Sequence, residues 1–265
     1  MAKVTLIGSV AAGRAVMRSA SGTVKPVLLE LGGKNALIAY PDSDPDKVAA
    51  AIVAGMNFGW CGQSCGSTSR AFLHEGLHDA VVDRLADTAA RYRPGLPTDP
   101  ETTMGALVSR EHFDRVMGYI AAGKREGARI IAGGHAITDG AMARGCFIAP
   151  TIFTEVTPDM TIAREEIFGP VLAVRRWSDE ERMLHEVNGL DMGLTCAIWS
   201  RDLVTAHRIA NRVEAGFVWI NEVGRHFLGA PFGGVKQSGI GREEGIGELL
   251  SFTHEKNIHI NLTGQ

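Results

Sequence analysis

Short runs of branched apolar residues alternate with longer stretches of helical period along most of this chain. That alternation admits few folds other than a parallel sheet covered by helices on both faces. Residues 4–7, 27–31, 36–40, 70–74, 129–132, 170–174, 195–199 and 217–220 read as strands, and 11–21, 46–56, 77–92, 110–127, 179–187 and 203–213 as helices. The fold class is therefore α/β. Two irregular stretches, 93–106 and 221–242, are long enough to serve a site. The second carries Pro231-Phe232-Gly233-Gly234 and Ser238-Gly239-Ile240-Gly241. Near the end, Ile258-His259-Ile260-Asn261-Leu262 alternates with the period of a strand able to pair outward.

Composition narrows the function classes. With 265 residues and 45% hydrophobic content, the chain can bury a substantial core. Its 27 basic and 30 acidic residues are interspersed, so no basic cluster is present to attract a phosphate backbone, and nucleic acid is not expected as a partner. The four cysteines, Cys61, Cys65, Cys146 and Cys196, are too few for a disulfide framework, and no charged-then-apolar export signal opens the sequence. A reducing, cytoplasmic setting is expected. The apolar stretches fall short of the roughly 20 residues that a membrane helix needs, so no membrane partner is expected either.

Chemistry concentrates in two segments. Gly62-Gln63-Ser64-Cys65-Gly66-Ser67-Thr68-Ser69-Arg70 places a thiol in a glycine-flanked turn, where backbone N–H groups can face the sulfur or an adjacent oxyanion. Glu30-Leu31-Gly32-Gly33-Lys34 places a carboxylate where a strand's carboxyl end meets a crevice. Cys65 as nucleophile and Glu30 as base are the parts needed to form a thioester and hydrolyse it. A buried structural cysteine, and a salt bridge from Glu30 to Lys34, are the plainer alternatives. Cys61 is expected to line the approach with Phe58 and Trp60, and Cys146 and Cys196 to lie in the core.

Other motifs compete with this assignment. Gly62 to Gly66 also spells G-x-S-x-G, but the serine elbow runs from strand to turn to helix, whereas the order here is helix, turn, strand. His74-Glu75-Gly76-Leu77-His78 spells H-E-x-x-H, yet His74 closes a strand and Gly76 breaks the turn, so the two histidines do not share one helix and no metal site is expected. Gly8-Ser9, after the first strand, resembles a phosphate site at a helix N-terminus without being G-x-G-x-x-G. Ser238-Gly239-Ile240-Gly241-Arg242 lacks a preceding strand and reads as a loop at a pocket rim.

Taken in order, these residues resemble the NAD(P)-dependent aldehyde dehydrogenase superfamily over essentially the whole chain. Glu30-Leu31-Gly32-Gly33-Lys34 looks like its general-base motif and Gly62-Gln63-Ser64-Cys65 like its nucleophile motif. Glu165-Glu166-Ile167-Phe168-Gly169-Pro170 is similar to the segment that holds the nicotinamide ribose, and Met104-Gly105, Pro150-Thr151, Val218-Trp219-Ile220-Asn221 and Pro231 to Gly239 add further matches. The resemblance implies that Cys65 attacks a small-molecule aldehyde and that Glu30 activates the hydrolytic water, which favours release of a free acid over transfer to coenzyme A. It also implies NAD or NADP as cofactor, with Glu166 on the nicotinamide ribose, Phe168 packed beside it, the Leu31 carbonyl on the carboxamide, and Gly8 and Ser9 at the pyrophosphate. Phe58, Trp60, Cys61 and Phe232 would wall the substrate channel. The Trp60 to Cys65 context resembles betaine-aldehyde-dehydrogenase-like or broad-range members.

On that reading, residues 1–31 are a remnant of the Rossmann-like cofactor domain, 32–250 the catalytic domain and 251–265 a strand segment for oligomerisation. The chain then corresponds to a C-terminal half, truncated or split, with its partner either another copy in a homo-oligomer or a complementing N-terminal half. The alternatives are a catalytically inactive fragment serving as an interaction or oligomerisation module and, further off, a serine hydrolase.

Overall fold

A computed structural model describes residues 2–264. Along the chain run β1 (Val4–Ile7), α1 (Val10–Ser21), β2 (Val27–Glu30), β3 (Ala36–Ala39), α2 (Pro45–Gly55), β4 (Arg70–His74) and α3 (Glu75–Ala89). They are followed by α4 (Arg110–Arg125), β5 (Arg129–Ala132), β6 (Thr151–Thr154), α5 (Thr161–Arg164), β7 (Val171–Trp177) and α6 (Glu180–Asn188). The last elements are β8 (Met192–Gly193), β9 (Thr195–Trp199), α7 (Leu203–Ala210), β10 (Phe217–Ile220), β11 (Val235–Lys236), β12 (Gly239–Ile240) and α8 (Ile246–Leu250).

The main sheet has seven strands in the order β10-β9-β3-β4-β7-β6-β5. Its neighbours are parallel except at one edge, where β5 runs antiparallel to β6, so the expectation of a parallel sheet holds for all but that strand. The central strand explains why two faces are covered. Leu37 and Ala39 of β3 enter one core with α2 and α3, while Ala36 and Ile38 enter a second core with Met183, Leu184, Ala206 and Ile209 of α6 and α7. Successive residues point to opposite faces, so a strand buried on both sides must be apolar throughout. Each fully buried Leu, Ile or Phe in these layers contributes about 1.5–3 kcal/mol.

Local chemistry sets the helix starts. Asp44 caps α2 by accepting from Asp46 and Lys47 N–H, with Pro45 in the first turn, and Ser9, Ser109, Asp179 and Asp202 do the same for α1, α4, α6 and α7. β6 and α5 have no counterpart among the predicted elements, and β11 and β12 give short order to the stretch expected to be irregular. The alternating segment 258–262 joins no ladder among the described residues, and Ile258, Ile260 and Leu262 are exposed.

A second, three-stranded sheet, β1-β2-β12, carries Glu30 at the end of β2, opposite Ile7 on one side and Gly239 on the other. Among the described residues, no helix is long and apolar enough to cross a membrane.

Candidate active site

The site lies where the end of β2 meets the amino ends of β3, β4, β7 and β9. Lys34 and Asn35 enter β3, Ser67 to Ser69 enter β4, Gly169 and Pro170 enter β7, and Thr195 begins β9. Parallel pairing of these strands puts their lead-in segments side by side, so motifs far apart in sequence become neighbours.

Cys65 is half-buried in the turn between the short 3₁₀ helix Phe58–Trp60 and β4. The order is helix, turn, strand, opposite to what a serine elbow at Ser64 requires. Burial pushes the Cys65 thiol above its ordinary value and the Glu30 charge pushes it further, while the N–H groups of Gly66 and of Cys65 itself pull it down. Two backbone amides are therefore positioned to stabilise an anion at this sulfur. Gly62 lets the turn seat closely: at φ +66°, an added Cβ would lie 2.2 Å from the Gly169 carbonyl oxygen.

Glu30 is only 2% exposed, and both its carboxylate oxygens are buried without a hydrogen-bond partner among the described residues. Its pKa rises from 4.5 to about 7, first because burial penalises the anion and then because Glu243 faces it, with Arg242 opposing. A carboxylate with that pKa can accept a proton near neutral pH. Gly233 of the Pro231 to Gly234 turn packs against it, since an added Cβ there would lie 2.8 Å from Glu30 Oε1. Lys34 does not form the salt bridge that its spacing suggested. Its Nζ is buried without a partner among the described residues, and its pKa falls to about 7, mainly through burial and next through Arg70.

Glu166 accepts the Gly33 N–H at 3.0 Å, joining the Glu30 motif to the Glu166 motif. Gly32, at φ +82°, fits under the same carboxylate, where a Cβ would come within 2.5 Å of Oε1. Phe168 holds a left-handed φ of 54° and its carbonyl receives the ring Nε2 of His112 at 2.6 Å. Strain of this kind in a non-glycine residue marks a position that its surroundings over-determine. Gly33, Gly62, Ser64, Glu166 and Phe168 border one small cavity of about 10 Å³.

The remaining site residues divide. Leu31 is buried and its N–H donates to the Ser238 carbonyl at 2.8 Å, which draws β12 over β2. Gly8 and Ser9 are exposed at the start of α1, where Gly8 N–H donates to the Glu30 carbonyl at 2.9 Å and Ser9 Oγ accepts from Ala12 N–H. Of the four residues expected to wall a channel, Phe58 is fully buried against Tyr92, and Cys61 is buried with its thiol donating to the Gly105 carbonyl at 3.0 Å. Phe232 is also buried, packed on Phe217 and His226, and Trp60 alone of the four is exposed, at 68%. Cys196 is buried in the core as expected, whereas Cys146 is only half-buried at its edge. His74 accepts the Gly76 N–H as the cap of α3, and His78 faces Asp79 and Arg176, so protein partners engage both histidines of the H-E-x-x-H pattern.

Sequence reading missed Asn35, His112 and the supporting role of Arg70. Asn35 follows the Glu30 motif directly and its side chain bonds Cys65, Ser67 and Thr195. Arg70 closes the Cys65 motif and its Nε donates to the Lys34 carbonyl at 2.8 Å.

This geometry defines a class of protein: an α/β chain that holds a thiol among backbone amides, within electrostatic reach of a buried, unpaired carboxylate. The chain belongs to the aldehyde dehydrogenase family, whose sequence profile matches residues 1–258. It is 54% identical over 266 aligned positions to the aldehyde dehydrogenase tropH of Talaromyces stipitatus, covering 99% of this chain and 52% of that protein. Among solved structures, the NAD+ complex of an aldehyde dehydrogenase from Bacillus cereus superposes with TM-score 0.94 at 40% identity, covering 99% of this chain and 52% of that one. An NAD-dependent aldehyde dehydrogenase from Sinorhizobium meliloti gives 0.93 at 38%, covering 100% and 52%. Betaine aldehyde dehydrogenase from Staphylococcus aureus, in complex with NAD+, gives 0.89 at 34%, covering 95% and 50%. The chain spans about half the length of these relatives.

Proposed function

We propose that this chain carries the thiol and the base of an NAD(P)-dependent oxidation of a small aldehyde to a carboxylic acid. The observation that carries the reading is the Glu30 carboxylate, buried, unpartnered and shifted to about 7, with its charge felt by the Cys65 thiol. The Cys65 thiol gives its proton to solvent, and the sulfur adds to the aldehyde carbon to give a thiohemiacetal oxyanion beside the N–H groups of Gly66 and Cys65. A bound nicotinamide would supply the acceptor for the hydride lost from this carbon, which would leave a thioester on Cys65. Glu30 then removes a proton from water as its oxygen attacks the thioester carbon. The C–S bond breaks, the acid is released and the thiol is regenerated.

The residues present fit such a cofactor. Glu166 spends one carboxylate oxygen on Gly33 and keeps the other for a ribose hydroxyl, Phe168 lies beside it, and Gly8 and Ser9 are exposed at a helix start suited to phosphate. The NAD+ bound by the Bacillus and Staphylococcus relatives supports the same choice. In this reading 1–31 serve the cofactor, 32–250 the chemistry and 251–265 assembly. The open β1 edge and the exposed apolar side chains of 258–262 support a protein partner, either a second copy or a complementing N-terminal half. The four free cysteines support a reducing, cytoplasmic setting.

The test is to incubate Glu30→Gln protein with NAD(P)+ and a panel of aldehydes and to digest it for mass spectrometry. An acyl adduct confined to Cys65, and absent in Cys65→Ser, is expected. An acyl group on another residue, or none on protein shown to bind the cofactor, would overturn the assignment.

A further inference from the structure

A second cavity, of about 220 Å³, lies on the α6 side of the main sheet, and its wall includes Arg70, Phe72, Arg164, Arg175, His185 and Glu186. Phe72 and Arg175 are partners across β4 and β7, and the guanidinium groups of Arg70 and Arg175 both lie over the Phe72 ring, at 5.3 and 5.9 Å from its centroid. The two arginines are almost wholly buried. Arg70 donates only to backbone carbonyls, those of Lys34, Glu186 and Val187. Arg175 donates to the Val156 carbonyl and pairs with Glu186, yet its Nε–H is buried with no acceptor among the described residues.

Charge at this cavity does not balance. Glu186 is the one acidic residue in the wall, and it is shared between Arg175 and Arg182. Neither Arg70 nor the exposed Arg164 has a carboxylate at ion-pair distance among the described residues; Asp159, which acts on both Arg164 and Arg175, stands in solvent and accepts from Thr157. Burial together with the facing Arg175 brings the Arg70 pKa down to about 10. Two desolvated guanidinium groups against a single shared carboxylate leave a buried positive excess, which a bound anion would offset.

We infer that this cavity binds a compact oxyanion, inorganic phosphate or a small phosphomonoester. Arginine forks match phosphate oxygens, and Arg164 and the His185 ring are exposed at the rim to complete the shell. The place is distinct from the thiol but connected to it. Arg70 holds the Lys34 carbonyl next to Gly33, whose N–H grips Glu166, and Arg164 lies two residues before Glu166 in the chain. An anion here would brace both stems of that carboxylate.

The experiment is calorimetric titration of inorganic phosphate into the purified protein, with chloride at matched ionic strength as control. Saturable phosphate binding is expected. It should weaken by about tenfold in Arg164→Gln and again in His185→Gln, as expected for losing one charge-assisted contact each. Both side chains are exposed, so these variants should fold as the parent does, which circular dichroism checks. A glycerol phosphate titration then separates the sources: tighter binding than phosphate marks a phosphomonoester site, weaker binding a site for the free ion. No saturable heat with phosphate, or unchanged affinity in the Arg164→Gln/His185→Gln double variant, would overturn the inference.

Discussion

The side-chain amide of Asn35 donates to the Cys65 carbonyl at 2.7 Å and to the Ser67 carbonyl at 3.0 Å, while its own oxygen accepts the Thr195 N–H at 3.0 Å. One buried residue thus ties the Glu30 motif, the thiol turn and β9 into a single unit. Replacing Asn35 with Ala leaves two carbonyls and one N–H unpaired in the interior, which should cost about 2–4 kcal/mol. Urea denaturation measures it, and a loss below about 1 kcal/mol would show that the turn does not rely on this side chain.

Glu30 predicts opposite pH effects on stability and on chemistry. Its folded-state value of about 7 exceeds the ordinary 4.5, so the fold prefers the protonated form, and this contribution is complete below about 4.5 and lost as pH rises through about 7. Glu30→Gln should therefore raise stability at pH 8 by about 2 kcal/mol and leave it unchanged near pH 4.5. Turnover, which needs the ionised base, should rise through about pH 7 and then level off, and Glu30→Gln should lower it by about 100-fold or more. Thermal melts and aldehyde oxidation rates across pH 5 to 9 check both halves.

Lys34 predicts the reverse dependence. Its value falls from 10.5 to about 7, so the fold prefers the neutral amine, and that stability is complete above about 10.5 and lost as pH falls through about 7. Lys34→Met should be more stable than the parent at pH 6, by a few kcal/mol on the order expected for a buried unpaired amine. The advantage should vanish by about pH 10.5. Denaturation midpoints at several pH values decide it.

Two glycines should respond with opposite sign. Gly32→Ala sets a methyl group against the Glu166 carboxylate at a positive φ, at a cost of about 1–3 kcal/mol. It should also weaken cofactor binding by displacing Glu166. Gly118 lies inside α4 with nothing within 4 Å of an added Cβ, so Gly118→Ala should stabilise by about 0.5–1 kcal/mol. Melting temperatures and NAD(P)+ titration of both variants provide the check.

Alkylation should sort the four cysteines by access. Cys61 and Cys196 are buried, with thiols pushed up to about 11 and about 12, and should resist iodoacetamide in the folded state. Cys65 and Cys146 are half-buried and should react. Because the Cys65 pKa is raised, its rate should still be increasing above pH 9. Peptide mapping after timed labelling reads out each position, and early modification of Cys196 would contradict the burial seen here.

Periodicity made most of the sheet readable because β3, β4 and β9 are apolar strands whose side chains alternate between two cores. It failed at β6, where only Ile152 and Phe153 are apolar, and at α5, a single turn. Nor does it show how the 3₁₀ segment turns: left-handed φ values at Asn57 and Cys61 go with Phe58 in the core and Trp60 in the solvent.

The chain's own residues, read in order, specified the α/β layering, the thiol turn and the strand-end carboxylate, because local propensity and short motifs are encoded within a few positions of each other. Tertiary structure alone decided that Lys34 is buried without a partner among the described residues, that Asn35 holds Cys65, and that two arginines from neighbouring strands lie over Phe72 while only one of them pairs with Glu186. Those outcomes depend on strand order and register, which bring together segments from 30 to more than a hundred residues apart. Desolvation, the force that moves Glu30 and Lys34 toward neutrality from opposite directions, exists only once the layers have closed around them.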